Sequence, residues 1–196
     1  VMVSTDHDYI SDYRPAIEAL GAGHLITSLI GSEITTSDTG HINAFPLQQD
    51  LSHPRGGALD WGNGPADSLL PSEIFDWVNG FPGEQVIQIN HPDGTGTIGA
   101  LEVDVLRGFS TADPTNKRLP DLGTNPLTGD TRLWAENFTA MELMNDHSTS
   151  NFWTIAHWWL TMVGRGFSPT MTAVTDTHKR WANVGGVPRT LVFVGE

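Results

Sequence analysis

The chain has 196 residues, 38% of them hydrophobic, which is enough for one domain over 1–196 with a sizeable buried core. Its 23 acidic residues against 10 basic ones give a formal charge of −13, which repels a phosphate backbone and speaks against nucleic acid as a partner. The absence of cysteine excludes disulfides, thiolate metal sites and cysteine nucleophiles together, leaving His, Asp and Glu as the strong ligands.

No apolar run approaches the ~20 residues that span a bilayer, and no basic stretch followed by an apolar one opens the chain. A soluble protein with no membrane partner is expected, its compartment (cytoplasmic, periplasmic or secreted) left open. In chain order, residues 1–5 read as a strand already under way, followed by Asp6-His7-Asp8. A helix is expected over 12–21, capped by Asp12, with Pro15 in its first turn and Gly21 or Gly23 as its stop. Residues 25–34 have the β-branched, apolar look of one buried strand, closed by a polar turn over 35–40 and then His41. Residues 48–67, rich in Gly, Pro and Asp, read as a long loop. Ser72 caps a short helix over 73–78, stopped by Asn79-Gly80, and a strand over 86–90 delivers His91-Pro92.

A strand is expected over 100–106 and an irregular insertion over 110–130, with Pro114, Pro120 and Pro126. Residues 138–145 fit either helix or strand, and their flanks favour a strand, followed by a helix over 150–163. A strand over 171–175 ends in Asp176-Thr177-His178, and 190–194 closes the series. Such alternation predicts an α/β fold of the TIM-like barrel kind, in which the loops after the strands converge on one face.

The candidate ligands obey that rule. Asp6 and His7 follow the first strand, Glu33 ends the second, and His41 comes a turn later. His91 follows the strand over 86–90, and Asp176 and His178 follow the strand over 171–175. Imidazole nitrogens and carboxylate oxygens suit Zn, Mn or Fe, and one carboxylate can bridge two ions about 3.5–4 Å apart. A centre of that kind activates hydroxide to attack phosphorus or carbonyl carbon, with no need of a Ser or Cys nucleophile.

Any one of these histidines alone is more often a satisfied loop or core residue; the ordered set of four segments carries the reading. His157, among Trp153, Trp158 and Trp159, is expected to pack, and His24 to be structural. His53 and His147 are weaker candidates for the metal face. Arg189 or Lys179 is placed to hold an anionic substrate group, although a surface ion pair is the commoner fate of either.

Thr5-Asp6-His7, Gly31-Ser32-Glu33 with Gly40-His41, Asn90-His91-Pro92 and Thr175-Asp176-Thr177-His178 resemble, in order and spacing, the PHP (polymerase and histidinol phosphatase) superfamily. The stretch Glu33-Ile34-Thr35-Thr36 leading to Gly40-His41-Ile42-Asn43-Ala44-Phe45, with Gly185-Gly186-Val187-Pro188-Arg189-Thr190, looks like its carbaryl-hydrolase-like branch. The resemblance implies a distorted (β/α)7 barrel that holds two or three divalent ions and hydrolyses small phosphoesters, or carboxyl and carbamate esters. It further implies that Glu33 bridges metals, that His41 and His91 join it on one ion, and that Asp176 serves another. His7 and His178 would bind a third ion or orient its ligands, with Asp6 a partner behind His7.

One departure stands out, since the family opens with a His-X-His strand and none is present here. The barrel is therefore expected to be N-terminally truncated, with Glu33, His41 and His91 the best-preserved site. Its unpaired edges are expected to bring two chains together as a homodimer or higher homo-oligomer. The alternative is a non-catalytic metal-binding or structural barrel remnant, inactive through loss of that strand.

Overall fold

The structure, a computed structural model, describes residues 1–36, 40–59, 69, 71–92, 135, 137–145, 149, 152–164, 166–178, 181 and 185–193. Strand β1 (Met2–Val3) pairs in parallel with β2 (Ser28–Leu29), and helix α1 (Arg14–Ala19) makes the crossover. Asp12 accepts the Arg14 backbone N–H at 2.9 Å ahead of α1, and Gly21, at φ +65°, lies just past its end. The parallel bridge of His7 with Glu33 keeps the register of the Met2–Ser28 pair, so the first segment runs on beside β3 (Ser32–Thr35).

From β3 the chain reverses within a few residues into β4 (His41–Phe45), which pairs with it antiparallel. Thr36 closes that reversal through its N–H and hydroxyl, which reach the Gly40 carbonyl at 3.2 and 2.9 Å. β5 (Val86–Ile89) is antiparallel to β4, whereas β6 (Ala140–Asn145) and β7 (Thr170–Val174) continue in parallel, giving the order β3-β4-β5-β6-β7.

This arrangement overturns the expected N-terminally truncated (β/α)7 TIM-like barrel. Among the described residues the strands form one five-stranded mixed sheet and one two-stranded parallel sheet, with short helices and no closed barrel. The cause is local. Residues 25–34 are not one strand, because at Gly31 two neighbouring backbones close in: a Cβ there would lie 2.8 Å from the Ala44 carbonyl oxygen and 2.9 Å from that of Ser4. A tight reversal then follows where a barrel needs a helical crossover, so β4 can only run antiparallel.

Alternation along the strands sorts the sheet into two faces. Ile34, Ile42, Ala44, Ile87, Ile89 and Met141 form the apolar one, with Ile34 opposite Ile42, Ile42 opposite Ile89 and Ile89 opposite Met141. Helix α2 (Pro71–Asn79) adds Ile74, Phe75 and Val78 to that core, and helix α3 (Phe152–Gly164) adds Ile155, Trp158 and Met162, spaced at i, i+3 and i+7. The opposite face buries Glu33, Asn43, Gln88 and Glu142, with Asn90 just beyond β5 also buried. Concealed polar groups in such number are expected only where they satisfy one another or serve a site.

Three local outcomes differ from the sequence reading or lie beyond reach. His157 is exposed on α3, beside a Trp153 that is 78% exposed, so its expected packing role is not what the helix uses. Residues 190–193 carry no strand; instead the Thr190 hydroxyl accepts the Ala173 N–H at 2.8 Å and donates to the Ala173 carbonyl at 3.2 Å, along the outer edge of β7. The strand over 100–106, the insertion over 110–130, His147 and Lys179 lie outside the described residues. No helix among the described residues is long and apolar enough to cross a membrane.

Because backbone atoms, which cannot rotate away, fill the space beside Gly31, Gly31→Ala should lower unfolding stability by about 1–3 kcal/mol in urea titrations. A change of a few tenths would show that these segments do not pack as described.

Candidate metal centre

Glu33 stands at the middle of the site because β3 is pinned on both sides. Its N–H donates to the Asp6 carbonyl at 3.1 Å, its carbonyl accepts the Asp8 N–H at 2.8 Å, and the Asp8 carboxylate accepts the next strand amide, Thr35 N–H, at 2.9 Å. Alternation along β3 then turns the Glu33 carboxylate to the buried polar face. Three imidazoles reach it from three separate elements. His7 comes from the bridge beside β3, His41 opens β4, and His91 follows β5.

The distances leave room for a cation among these groups. His41 Nδ1 lies 2.9 Å from Glu33 Oε1, His91 Nε2 lies 3.6 Å from the same oxygen, and His7 Nδ1 lies 3.6 Å from Oε2. Two atoms each about 2.0–2.1 Å from a tetrahedral ion stand about 3.3 Å apart, between these values. Ligand atoms of His7, Glu33 and His41 all fall within 4.8 Å of one another. His41 Nδ1 is buried and, despite its nearness to Glu33, closes no hydrogen bond among the described residues. A buried nitrogen left in that state is costly unless an ion takes its lone pair, so the residues present fit a divalent ion.

The four imidazoles form a file. Ring centres are 5.7 Å apart from His178 to His7, 5.6 Å from His7 to His41 and 5.6 Å from His41 to His91. Side-chain exposure falls from 55% at His178 and 47% at His7 to 21% at His91 and 12% at His41, so the site opens to solvent at the His178 end. There the Nε2 atoms of His178 and His7 face each other at 3.5 Å.

Asp176 is held beside this end, its Oδ2 accepting Asn145 Nδ2 at 3.0 Å and its Oδ1 lying 3.2 Å from His178 Nδ1. A register shift between Glu142 and Met144 lets Asn145 reach both Asp176 and His91 Nδ1, the latter at 2.8 Å. His91 and Asp176 also share a left-handed backbone, at φ +42° and +44°, a conformation that non-glycine residues rarely adopt and that clusters at functional sites.

Charge balance follows from these contacts. Burial pushes Glu33 up, but the imidazoles of His41 and His91, together with positive charge at His7 and His41, outweigh it and hold its carboxyl well below the usual range. For His91, burial acts downward and is outweighed by Glu142 and Glu33, so its pKa rises to about 10. A proton on His91 thus offsets the buried carboxylates beside it, and an entering cation must displace that proton.

The other expected participants take local partners. The Asp6 carboxylate accepts the Tyr13 hydroxyl at 2.7 Å, which together with burial lifts the phenol to about 12, and the group beside His7 Nδ1 is the Thr35 hydroxyl at 2.6 Å. Arg189 is exposed and donates to the Gly186 carbonyl at 3.1 Å. His53 pairs with Asp50 at 2.8 Å within its own loop, and His24 lies 3.1 Å from the Gly21 carbonyl.

Sequence reasoning missed Glu142 and the two amides, Asn90 and Asn145. Asn90 donates to Glu33 Oε1 at 3.2 Å and is itself fixed by Gln88 at 2.8 Å. A glutamate alone in an otherwise apolar strand run is the signal that marks Glu142, since an ionised side chain is rarely buried without a task. Compared with known proteins, the chain matches no family model, no curated protein and no solved structure.

Two outcomes follow for a chelator-stripped protein titrated with zinc. Glu33→Ala should weaken zinc affinity by more than ~100-fold, beyond the 10–100-fold typical of losing a group that merely supports a ligand. For the intact chain, apparent affinity should rise from about pH 6 to about pH 9 with protons released on binding, because the cation displaces the proton that His91 holds. Calorimetry in buffers of different ionisation enthalpy counts those protons, and affinity flat across this range would contradict the site.

Proposed function

We propose that the protein is a metal-dependent hydrolase of small phosphoesters or carboxyl and carbamate esters. One observation carries the metal part of this reading: a buried carboxylate whose two oxygens face three imidazole nitrogens at 2.9–3.6 Å. The hydrolytic part is supported by a solvent-open end next to ordered acidic and imidazole groups, and by the resemblance of the ligand order to the PHP superfamily.

When bound, a divalent ion of the Zn, Mn or Fe kind supplies Lewis acidity and makes water more acidic. Glu33 would offer the ion Oε1 on the side shared by His41 and His91 and Oε2 on the side of His7. Asn90 fixes its rotation. Asp176, steadied by Asn145, holds His178 at the open edge, its backbone carbonyl 2.8 Å and its Oδ1 3.2 Å from His178 Nδ1. Asp176 and His178 stand where they would take the proton of the attacking water and pass it to the departing alcohol. Arg189, in the exposed turn before Thr190, is proposed to meet an anionic substrate group.

The test combines elemental analysis of purified protein with turnover of chromogenic phosphoesters, carboxyl esters and aryl carbamates. Bound Zn, Mn or Fe, turnover lost with chelator and restored with metal, and loss of both in His91→Ala are the expected results. Metal without turnover across that panel would reduce the protein to a non-catalytic metal holder. A wild-type chain that takes up no metal would remove the reading altogether.

A further inference from the structure

Glu142, in the middle of β6, is 1% exposed, and neither the ligand order nor the resemblance accounts for it. Its Oε2 accepts the His91 backbone N–H at 2.8 Å and lies 3.0 Å from His91 Nδ1. Its Oε1 is buried and has no hydrogen-bond partner among the described residues. A carboxylate this deep, half-satisfied and spent wholly on one histidine, serves that histidine and not the packing around it.

What it does follows from the other neighbour of His91 Nδ1. Asn145 Nδ2 is 2.8 Å from that nitrogen and 3.0 Å from Asp176 Oδ2, so it is a donor aimed at the ring. A donor alone would favour a bare Nδ1 and send the ring proton to Nε2, the atom that faces Glu33 Oε1. A proton at Nε2 would bar a cation from that position. A carboxylate at Nδ1 acts in the opposite sense, since it accepts a proton there and leaves Nε2 bare.

We infer that Glu142 is a positioning residue that fixes the Nδ1–H form of His91, and with it the left-handed turn after β5, so that Nε2 is presented to a metal shared with Glu33. The inference rests on the metal reading above and deepens it. Glutamine at position 142 keeps an acceptor oxygen of the same reach without the charge, whereas leucine keeps the volume and removes the acceptor.

Zinc affinity, measured by competition with a chromophoric chelator, should fall by about 10–100-fold in Glu142→Leu and be largely restored in Glu142→Gln. Long-range proton–nitrogen correlation spectra of the zinc-loaded protein should show His91 protonated at Nδ1 in wild type and Glu142→Gln, with that signal lost or moved in Glu142→Leu. Circular dichroism of the metal-free variants reports folding. If Glu142→Leu does not fold, the Glu142→Gln spectrum alone decides, because loss of the Nδ1–H signal there overturns the assignment. Zinc held equally well by a folded Glu142→Leu, or equal weakness of the Leu and Gln variants, overturns the role of Glu142 and leaves the metal centre standing. A wild-type protein that binds no zinc overturns both.

Discussion

A carboxylate buried against a sheet must meet positive charge or donors, and Glu33 does so by drawing on three chain segments far apart in sequence. Its backbone is hydrogen-bonded to Asp6 and Asp8, which lays the first segment along β3 and brings His7 in. The short reversal that follows brings His41 back opposite Thr35, and the antiparallel pairing of β4 with β5 sets His91 and Asn90 beyond the far end. Every strand from β3 to β5 is thus placed so that this one side chain can stay ionised. The arrangement works in both directions, since removing Glu33 would leave the imidazoles crowded round a gap, and removing the imidazoles would strand an ion in the protein interior.

The rest of the site is aimed by departures from regular structure. His91 and Asp176 both leave their strands through a left-handed residue, a conformation that stores about 1–3 kcal/mol when the residue is not glycine. Each is held from the side: His91 through its N–H to Glu142, and Asp176 through its carboxylate to Asn145. The register shift in β6 serves the same end, turning Asn145 toward the site a few residues after Glu142 has done so. Regular pairing supplies the platform, and these irregular points supply the direction.

Much of the platform was legible beforehand. Hydrophobic spacing located α2, β5, α3 and β7 to within a residue or two, flanking segments decided β6, and His7, Glu33, His41, His91, Asp176 and His178, named from their order in the chain, lie along one side of the sheet. Strand direction was not legible, because a half-buried strand alternates in the same way whether its neighbour runs parallel or antiparallel. The break at Gly31 was hidden inside an apolar run, where only the approach of the Ser4 and Ala44 carbonyls explains it. Glu142 was not legible because a segment that fits either helix or strand does not say which of its side chains face a site. Arg189 illustrates the reverse difficulty, since proximity in sequence to ligands says nothing about where a long exposed side chain will settle.

The Thr190 hydroxyl deals with a hazard of open sheets. The outer rim of β7 would otherwise offer its main chain as a template on which a foreign strand could zip. By engaging both the amide and the carbonyl of Ala173, one side chain blocks that rim one residue from its end with a contact that cannot propagate. An incoming β-segment would have to displace the threonine before pairing past Ala173, so the side chain guards this rim without the burial of a further strand.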